Sequence, residues 1–462
     1  MDFEDAGVRR GAARIASCAI LMAGCLATAP VLRGELRAGV ARVDITPPLG
    51  KYTLVASGKI ATAVRDPLYA KVIVFETGTT RVAIVSLDLV GAFPPELFDE
   101  YRRRLKQEAA IDYVVLNASH THTSLDLENN ATELRKWPWM ATAMEQVYSA
   151  ILQAHRDAVP VRLSLGYGES TIGTNRRWVT PEGVKTLGRN SPNKQAVEPS
   201  DRRVGVLRVD RQDGSALAAV VHYACHPVAL MANDSVAYSA DYVGEMEREV
   251  AERLPGHPEV LFWQGAAGDI NMRNTIEGSG EPEVKQYGHE LAEAVVTGWG
   301  RASKTITDAL SFRSETLTFP SRWSPKAVAA VAKETGNIDR WFGLNYLPQY
   351  PAPVGSVLLG KELALALLPG EPFIDFQFRL DAASPIQNTW LLGYCDRVDG
   401  YLPTIRAASE GGYGANGPET LLQVGAGEHM VTWALVRIYE QLGLFSPLPD
   451  GVPRKKVQAA GK

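Results

Sequence analysis

From about Ala38 onward the chain alternates short apolar runs with stretches of helical spacing. Ala70-Lys71-Val72-Ile73-Val74-Phe75 and Val82-Ala83-Ile84-Val85-Ser86-Leu87 have the length and β-branched content of sheet strands. Pro94-Pro95 opens a helix whose Leu97, Phe98, Tyr101 and Leu105 share one face. Met144, Val147, Tyr148, Ile151 and Leu152 mark a second helix. Further strands are predicted at Tyr113 to Asn117, Val204 to Val209, Ala218 to Ala224, Val260 to Gln264 and Val357 to Leu368, with helices near 243–254 and 284–299. The alternation predicts a mixed α/β (α+β) fold, one large domain with central mixed sheets flanked by helices. Gly- and Pro-rich stretches around 182–200 and 274–283 read as long surface loops, because strand patterns resume on either side.

The first 34 residues read differently. Arg9, Arg10 and Arg14 precede an uncharged, mostly apolar run from Ile15 to Leu32, the layout of a secretory signal peptide. Ala27-Thr28-Ala29 resembles a small-residue cleavage site, Cys25 after Leu21-Met22-Ala23-Gly24 resembles a lipoprotein site, and the run is long enough to stay as an anchor. Residues 1–34 are therefore predicted to be a signal peptide or N-terminal anchor, 35–446 the single large folded domain and 447–462 a basic flexible tail. The predicted location is exported, periplasmic or extracellular.

Composition narrows the partners. In 462 residues, 48 Lys+Arg face 52 Asp+Glu, a net charge of −4, so no basic excess exists to neutralise nucleic acid. A small-molecule or lipid substrate fits better, with peripheral membrane contact left open and oligomeric state undetermined. Of four cysteines, Cys18 and Cys25 lie in the leader, leaving Cys225 and Cys395 as one disulfide at most. Their spacing matches no metal or redox motif, and buried free thiols are the simpler reading.

Only eight histidines occur, and two stand at His120 and His122 in Asn117-Ala118-Ser119-His120-Thr121-His122-Thr123, directly after a predicted strand. Residues i and i+2 share one face of an extended backbone, so both imidazoles are predicted to point into one site at the strand's carboxyl end. Open α/β sheets place their ligands there. His226, in His222-Tyr223-Ala224-Cys225-His226-Pro227, again follows a strand. A lone histidine is more often structural than a ligand, but a pair at a strand end tilts towards metal. A catalytic zinc takes imidazole and carboxylate ligands and keeps one position for water. Glu371, in Leu368-Pro369-Gly370-Glu371-Pro372, is a carboxylate between prolines after an apolar run, equally compatible with a simple turn. Trp263-Gln264-Gly265-Ala266-Ala267-Gly268-Asp269-Ile270-Asn271 is a strand and a glycine-rich turn that lets backbone approach a ligand or metal shell. It matches neither GxGxxG nor the P-loop, and no GxSxG elbow occurs.

Taken in order, these segments resemble the neutral/alkaline non-lysosomal ceramidases, from about Gly39 to Leu442. The resemblance is carried by Gly39-Val40-Ala41-Arg42-Val43-Asp44-Ile45-Thr46-Pro47, His120-Thr121-His122, Asn175-Arg176, Ala224-Cys225-His226-Pro227, Ser239-Ala240-Asp241-Tyr242, Gly265-Ala266-Ala267-Gly268-Asp269, Pro369-Gly370-Glu371-Pro372 and Tyr401-Leu402-Pro403-Thr404 through Glu410-Gly411-Gly412-Tyr413. It implies one Zn2+ per chain, held by His120, His226, Glu371 and Tyr401. Tyr401 comes from the resemblance alone, since spacing would not have nominated it. It further implies amide hydrolysis by a zinc-activated water, with His122, Arg176 and Tyr413 near the substrate. Ceramidases usually continue the histidine motif as Ser-Gly-Pro, whereas this chain reads Thr123-Ser124-Leu125-Asp126, and Asn271 stands where serine is common. The chain also ends too early for the family's immunoglobulin-like C-terminal domain, and 319–350 reads as a variable loop. Trp137, Trp139, Trp178, Trp323, Trp341 and Phe342 are candidates to line a cleft or to pack locally. The implied activity is zinc-dependent hydrolysis of an N-acyl amide, with ceramide one substrate among several. Two rivals are an ester, lactone or sugar-derived substrate at the same zinc site, and a non-catalytic surface binding protein on this fold.

Overall fold

The strand Tyr69–Thr77 explains why its sequence is apolar without alternation: Val72 and Val74 enter one core and Ile73 and Phe75 another, so both faces are buried. A computed structural model of the chain describes residues 34–125, 138–187, 197–230, 235–273, 280–335, 347–398 and 400–445, which belong to one compact unit. Its principal sheet has nine strands. Eight follow the order Glu259–Gln264, Ala216–Tyr223, Arg203–Arg211, Val159–Glu169, Arg37–Asp44, Tyr69–Thr77, Thr80–Leu87, Tyr113–Ala118, and the short Lys304–Thr305 adds to Val159–Glu169. Most neighbours are antiparallel, but the pair at each end of the sheet is parallel. Each parallel pair is a βαβ unit: helix Pro95–Ala109 connects Thr80–Leu87 to Tyr113–Ala118, and Asp241–Arg253 connects Ala216–Tyr223 to Glu259–Gln264.

The two ends of this sheet meet. Gln264 N donates to Asn117 Oδ1 (2.9 Å), and Asn117 Nδ2 donates to the Gly393 carbonyl (2.7 Å). The carboxyl ends of the terminal strands are thereby held side by side. A second sheet, Leu310–Pro320, Gln349–Leu359, Leu363–Leu367 and Asn388–Leu392, contributes Val357, Leu365 and Leu392 to a core shared with Ile84, Val115, Leu207 and Leu261 of the first. The opposite face of the large sheet is covered by helices Pro138–Arg156 at one end and Asp241–Arg253 with Glu281–Arg301 at the other.

The mixed α/β architecture of central sheets and flanking helices agrees with the sequence reading, with local corrections. Val357 to Leu368 is two strands, because Gly360 at φ 62° turns the chain into a hairpin. The region 319–350 contains the end of Leu310–Pro320 and helix Pro325–Thr335. Within 182–200, Gly183–Thr186 pairs with Arg177–Thr180. The leader to residue 33, Cys18, Cys25, Asp126, Trp137, Trp341, Phe342 and the tail after residue 445 lie outside the described residues. Cys225 and Cys395 are buried free thiols. Among the described residues, no helix is long and apolar enough to cross a membrane.

Candidate metal centre

His120 follows the strand Tyr113–Ala118 at one end of the sheet, and His226 follows Ala216–Tyr223 near the other. The pair His120 and His122 does not converge by strand alternation as predicted. The strand stops at Ala118 and His120 takes a left-handed φ of 67°, so a turn brings its ring to 4.9 Å from His122 between centroids. The left-handed region is uncommon for a residue with a Cβ and is maintained where surrounding contacts enforce it. Here His120 N donates to the Leu89 carbonyl (3.0 Å) and its Nδ1 to the Val90 carbonyl (2.5 Å). A carbonyl only accepts, so Nδ1 carries the proton and Nε2 presents its lone pair. His226 is set in the same way: Nδ1 faces the Ala267 and Ile270 carbonyls at 2.7 and 3.1 Å.

Both Nε2 atoms converge on one oxygen. Glu371 Oε2 lies 3.1 Å from His226 Nε2 and 3.5 Å from His120 Nε2, and all three side chains are buried. Glu371 sits in a two-residue parallel pairing with Tyr401, its direct partner in register. The glycine-rich turn passes close behind: Gly268 N donates to the Pro372 carbonyl (2.9 Å), and a Cβ on Gly268 would lie 2.3 Å from the Glu371 carbonyl oxygen. Only glycine permits that approach. Asp269 fastens three segments, accepting from Ile374 N and Asn175 Nδ2 (both 2.8 Å), while its own carbonyl accepts from Arg176 N.

Burial dominates the electrostatics. It lowers His120 to about 4, against the opposing pull of Glu371, and lowers His226 to about 3. His122 is pushed well below its ordinary value by burial and by His120 and His226. Glu371 is raised by burial, with His120, Arg176 and the Tyr401 and Tyr394 hydroxyls opposing. Burial also raises the Tyr401 phenol well above its ordinary value. For Arg176, burial works against the charge but Tyr401, Tyr413 and Glu371 outweigh it.

The predicted residues come together. Arg176 lies over the rings of Tyr401 (5.0 Å) and Tyr413 (4.5 Å) and donates to the Gly268 carbonyl. It is not half of a surface basic pair, since neighbouring Arg177 is also buried and donates to the Gly411 carbonyl (2.8 Å). Tyr413, 41% exposed, packs edge-on to Tyr401 at 5.5 Å and marks the outer side of the cluster. Both ring nitrogens of His122 are buried without a hydrogen-bond partner, as is Arg176 Nε.

The donor set fits zinc. His120, His122 and His226 offer ligand atoms all within 4.8 Å of one another. Zinc bonds of roughly 2.0–2.2 Å in tetrahedral array put neighbouring ligand atoms about 3.3–3.6 Å apart, and the two observed separations are 3.1 Å, just below that range, and 3.5 Å, within it. The Nδ1 bonds to carbonyls are the outer-shell support that fixes imidazole ligands. A further group, Glu249, His289 and Glu293, is half-exposed to exposed, and Arg253 Nη1 already bridges its carboxylates at 2.8 and 2.6 Å.

Sequence reasoning missed Tyr394, whose ring lies 4.4 Å from that of His120 at a left-handed φ of 53°. Nothing in Gly393-Tyr394-Cys395 signals it. Of the candidate cleft aromatics, the three among the described residues pack locally: Trp139 is buried and donates to the Ile45 carbonyl (2.9 Å), Trp323 donates to the Thr420 carbonyl (2.8 Å), and Trp178 lies under Lys185 (5.3 Å). Ser124, in the altered continuation of the histidine motif, is turned inward, its hydroxyl donating to the Thr121 carbonyl and accepting from Val90 N.

Two sheets with imidazoles and a carboxylate converging at strand ends define the fold class, and it has solved counterparts. No family model matches the sequence, and comparison with curated proteins gives no match. The chain superimposes on neutral ceramidase from Pseudomonas aeruginosa with a TM-score of 0.71 and 18% identity, covering 91% of this chain and 76% of that one. A ceramidase complexed with C2 gives a TM-score of 0.70 and 17% identity, with 91% and 77% covered. The chain therefore shares the fold of these neutral ceramidases.

Proposed function

We propose that this chain is a zinc-dependent hydrolase of ceramidase type that cleaves an N-acyl amide bond. The observation that carries this reading is Glu371 Oε2 set between the Nε2 atoms of His226 and His120 at 3.1 and 3.5 Å, on a fold shared with neutral ceramidases. His120, His226, Glu371 and Tyr401 would hold the metal. When bound, zinc supplies Lewis acidity and lowers the pKa of water to about 7.

The chain's own groups supply the rest. Arg176, charged and held against Tyr401 and Tyr413, offers its unpartnered Nε–H to a carbonyl oxygen that gains negative charge. His122, neutral and with unpartnered ring nitrogens beside the ligands, is placed to accept a proton from the attacking water or to bond the leaving amine. Tyr413 at the outer side orients the acyl or amine portion. Ceramide is the first substrate to try, because both superimposed structures are ceramidases. With this reading go an exported location directed by residues 1–34 and a single catalytic domain from 35 to 446.

The test is metal analysis of the purified protein together with hydrolysis of a fluorogenic N-acyl sphingosine, before and after chelation and zinc return. About one zinc per chain with chelator-sensitive cleavage is expected. Stoichiometric zinc without cleavage rejects the ceramide-like substrate, and absence of bound metal rejects the hydrolase reading.

A further inference from the structure

Gln264, the last residue of strand Glu259–Gln264, is completely buried, and its side-chain hydrogen bonds go to backbone beside the proposed ligands and not to the ligands themselves. Its side chain nevertheless reaches both histidine-bearing segments. Nε2 donates to the Ser119 carbonyl (2.8 Å), one residue before His120, and to the Cys225 carbonyl (3.0 Å), one residue before His226. Oε1 accepts from Cys225 N (3.3 Å). The orientation of the amide is fixed by these partners, because two carbonyls demand donors and a backbone N–H demands an acceptor.

We propose that Gln264 is the positioning residue that sets the spacing of His120 and His226 for metal, a role that rests on the hydrolase reading above. The two histidines belong to opposite ends of the nine-stranded sheet, 106 residues apart in sequence, and no ladder hydrogen bond joins their strands. One backbone hydrogen bond, His122 N to the Pro227 carbonyl (3.2 Å), crosses between the two segments beyond the histidines, and side chains supply the lock on the strand side. Gln264 supplies it within one residue of each ligand, and its backbone N is itself tied to Asn117 Oδ1 (2.9 Å), three residues before His120. A second latch acts from the other side: the Thr121 and Thr123 hydroxyls both donate to the Ser239 carbonyl (2.9 and 3.0 Å), and Tyr242 Oη donates to the Cys225 carbonyl (2.8 Å). That latch joins the segments through two separate residues, Ser239 and Tyr242, at the entry to helix Asp241–Arg253, whereas Gln264 joins them through one planar group. Burial removes water as a substitute partner for either carbonyl.

Three variants test this. Gln264→Glu keeps the shape and leaves at most one donor for the two carbonyls, Gln264→Met removes all polarity, and Gln264→Asn keeps the amide but is one carbon too short to span both segments. Zinc affinity is measured by chelator competition, and the cobalt-substituted protein gives an electronic spectrum that reports ligand geometry. Thermal melting of the metal-free proteins reports the fold. Loss of an outer-shell support of this kind weakens metal binding by about 10–100-fold, and that loss, with an altered cobalt spectrum and a fall in kcat at unchanged KM, is expected for all three. Val74→Ala, a core truncation on strand Tyr69–Thr77 away from the site, is the reference for loss of stability alone.

Wild-type zinc affinity and cobalt spectrum in any folded Gln264 variant would overturn the proposal. So would an equal loss of affinity in Val74→Ala. Gln264→Asn, the mildest change, remains informative should the other two not fold. A wild-type protein that takes up no zinc rejects the hydrolase reading as well, which distinguishes that failure from failure of the positioning role alone.

Discussion

His120 stores backbone strain at the point where two hydrogen bonds aim its ring, and removal of that ring should therefore be tolerated by the fold and not by the metal. His120→Ala and His226→Ala are expected to remain folded and to lose zinc by more than the roughly 10–100-fold typical of an outer-shell loss; full zinc content in either would remove it from the ligand set. His122 and Tyr401 are the pair whose roles differ most sharply. His122→Ala should retain zinc and lose about 10²–10⁴-fold in kcat, while Tyr401→Phe should lose zinc; the reverse pattern, read by elemental analysis and steady-state kinetics, would exchange the two. The histidine pair tilted the reading towards metal, but Glu371 was equally compatible with a simple turn until the structure set its carboxylate beside His120 and His226. Tyr401 was legible only through resemblance, since its place opposite Glu371 depends on a pairing across 30 residues. Tyr394 was not legible at all, because its part is played through ring contact.

At the level of elements, glycines set how closely backbones approach the site. Helix Glu281–Arg301 lies so near strand Val159–Glu169 that a Cβ on Gly168 would come 1.9 Å from the Ala294 carbonyl oxygen. Gly268 serves the same purpose against Glu371. Gly268→Ala is therefore expected to cost about 1–3 kcal/mol by overpacking and to weaken zinc binding, because the Glu371 segment must move. Gly300→Ala, where a Cβ meets nothing within 4 Å, should instead stabilise the helix by up to about 1 kcal/mol. Denaturant melts and chelator competition compare the two; unchanged stability and zinc affinity in Gly268→Ala would show that the turn can yield. The apolar strands and amphipathic helices were readable from periodicity, whereas the hairpin at Gly360 was missed although Gly360-Lys361-Glu362 interrupts the apolar run there.

For the whole molecule, buried neutral histidines make stability depend on pH. His222 stacks on Trp390 (5.0 Å between centroids) with Nε2 at 2.9 Å from the Leu391 carbonyl, and burial lowers it to about 4 while that carbonyl opposes. The unfolded chain binds a proton near the ordinary value of 6.5, and the folded chain resists until about 4. Its contribution is thus present above pH 6.5 and is lost as pH falls through that window, by about 3 kcal/mol in all. Urea unfolding of the metal-free protein at pH 7 and at pH 4.5 should show the decline, with a shallower slope for His222→Gln. Equal slopes would mean that other groups carry the dependence, among them His120 and His226, which are lowered in the same direction.

The sequence by itself determined the mixed α/β class, the main apolar strands and the residue types able to hold a metal, because each follows from local pattern and side-chain chemistry. The closing of the sheet decided the rest. Asn117 and Gln264 bring the ends of the sheet together, and only then do His120 and His226 share Glu371. That juxtaposition depends on contacts between segments more than 100 residues apart, which no window of sequence contains.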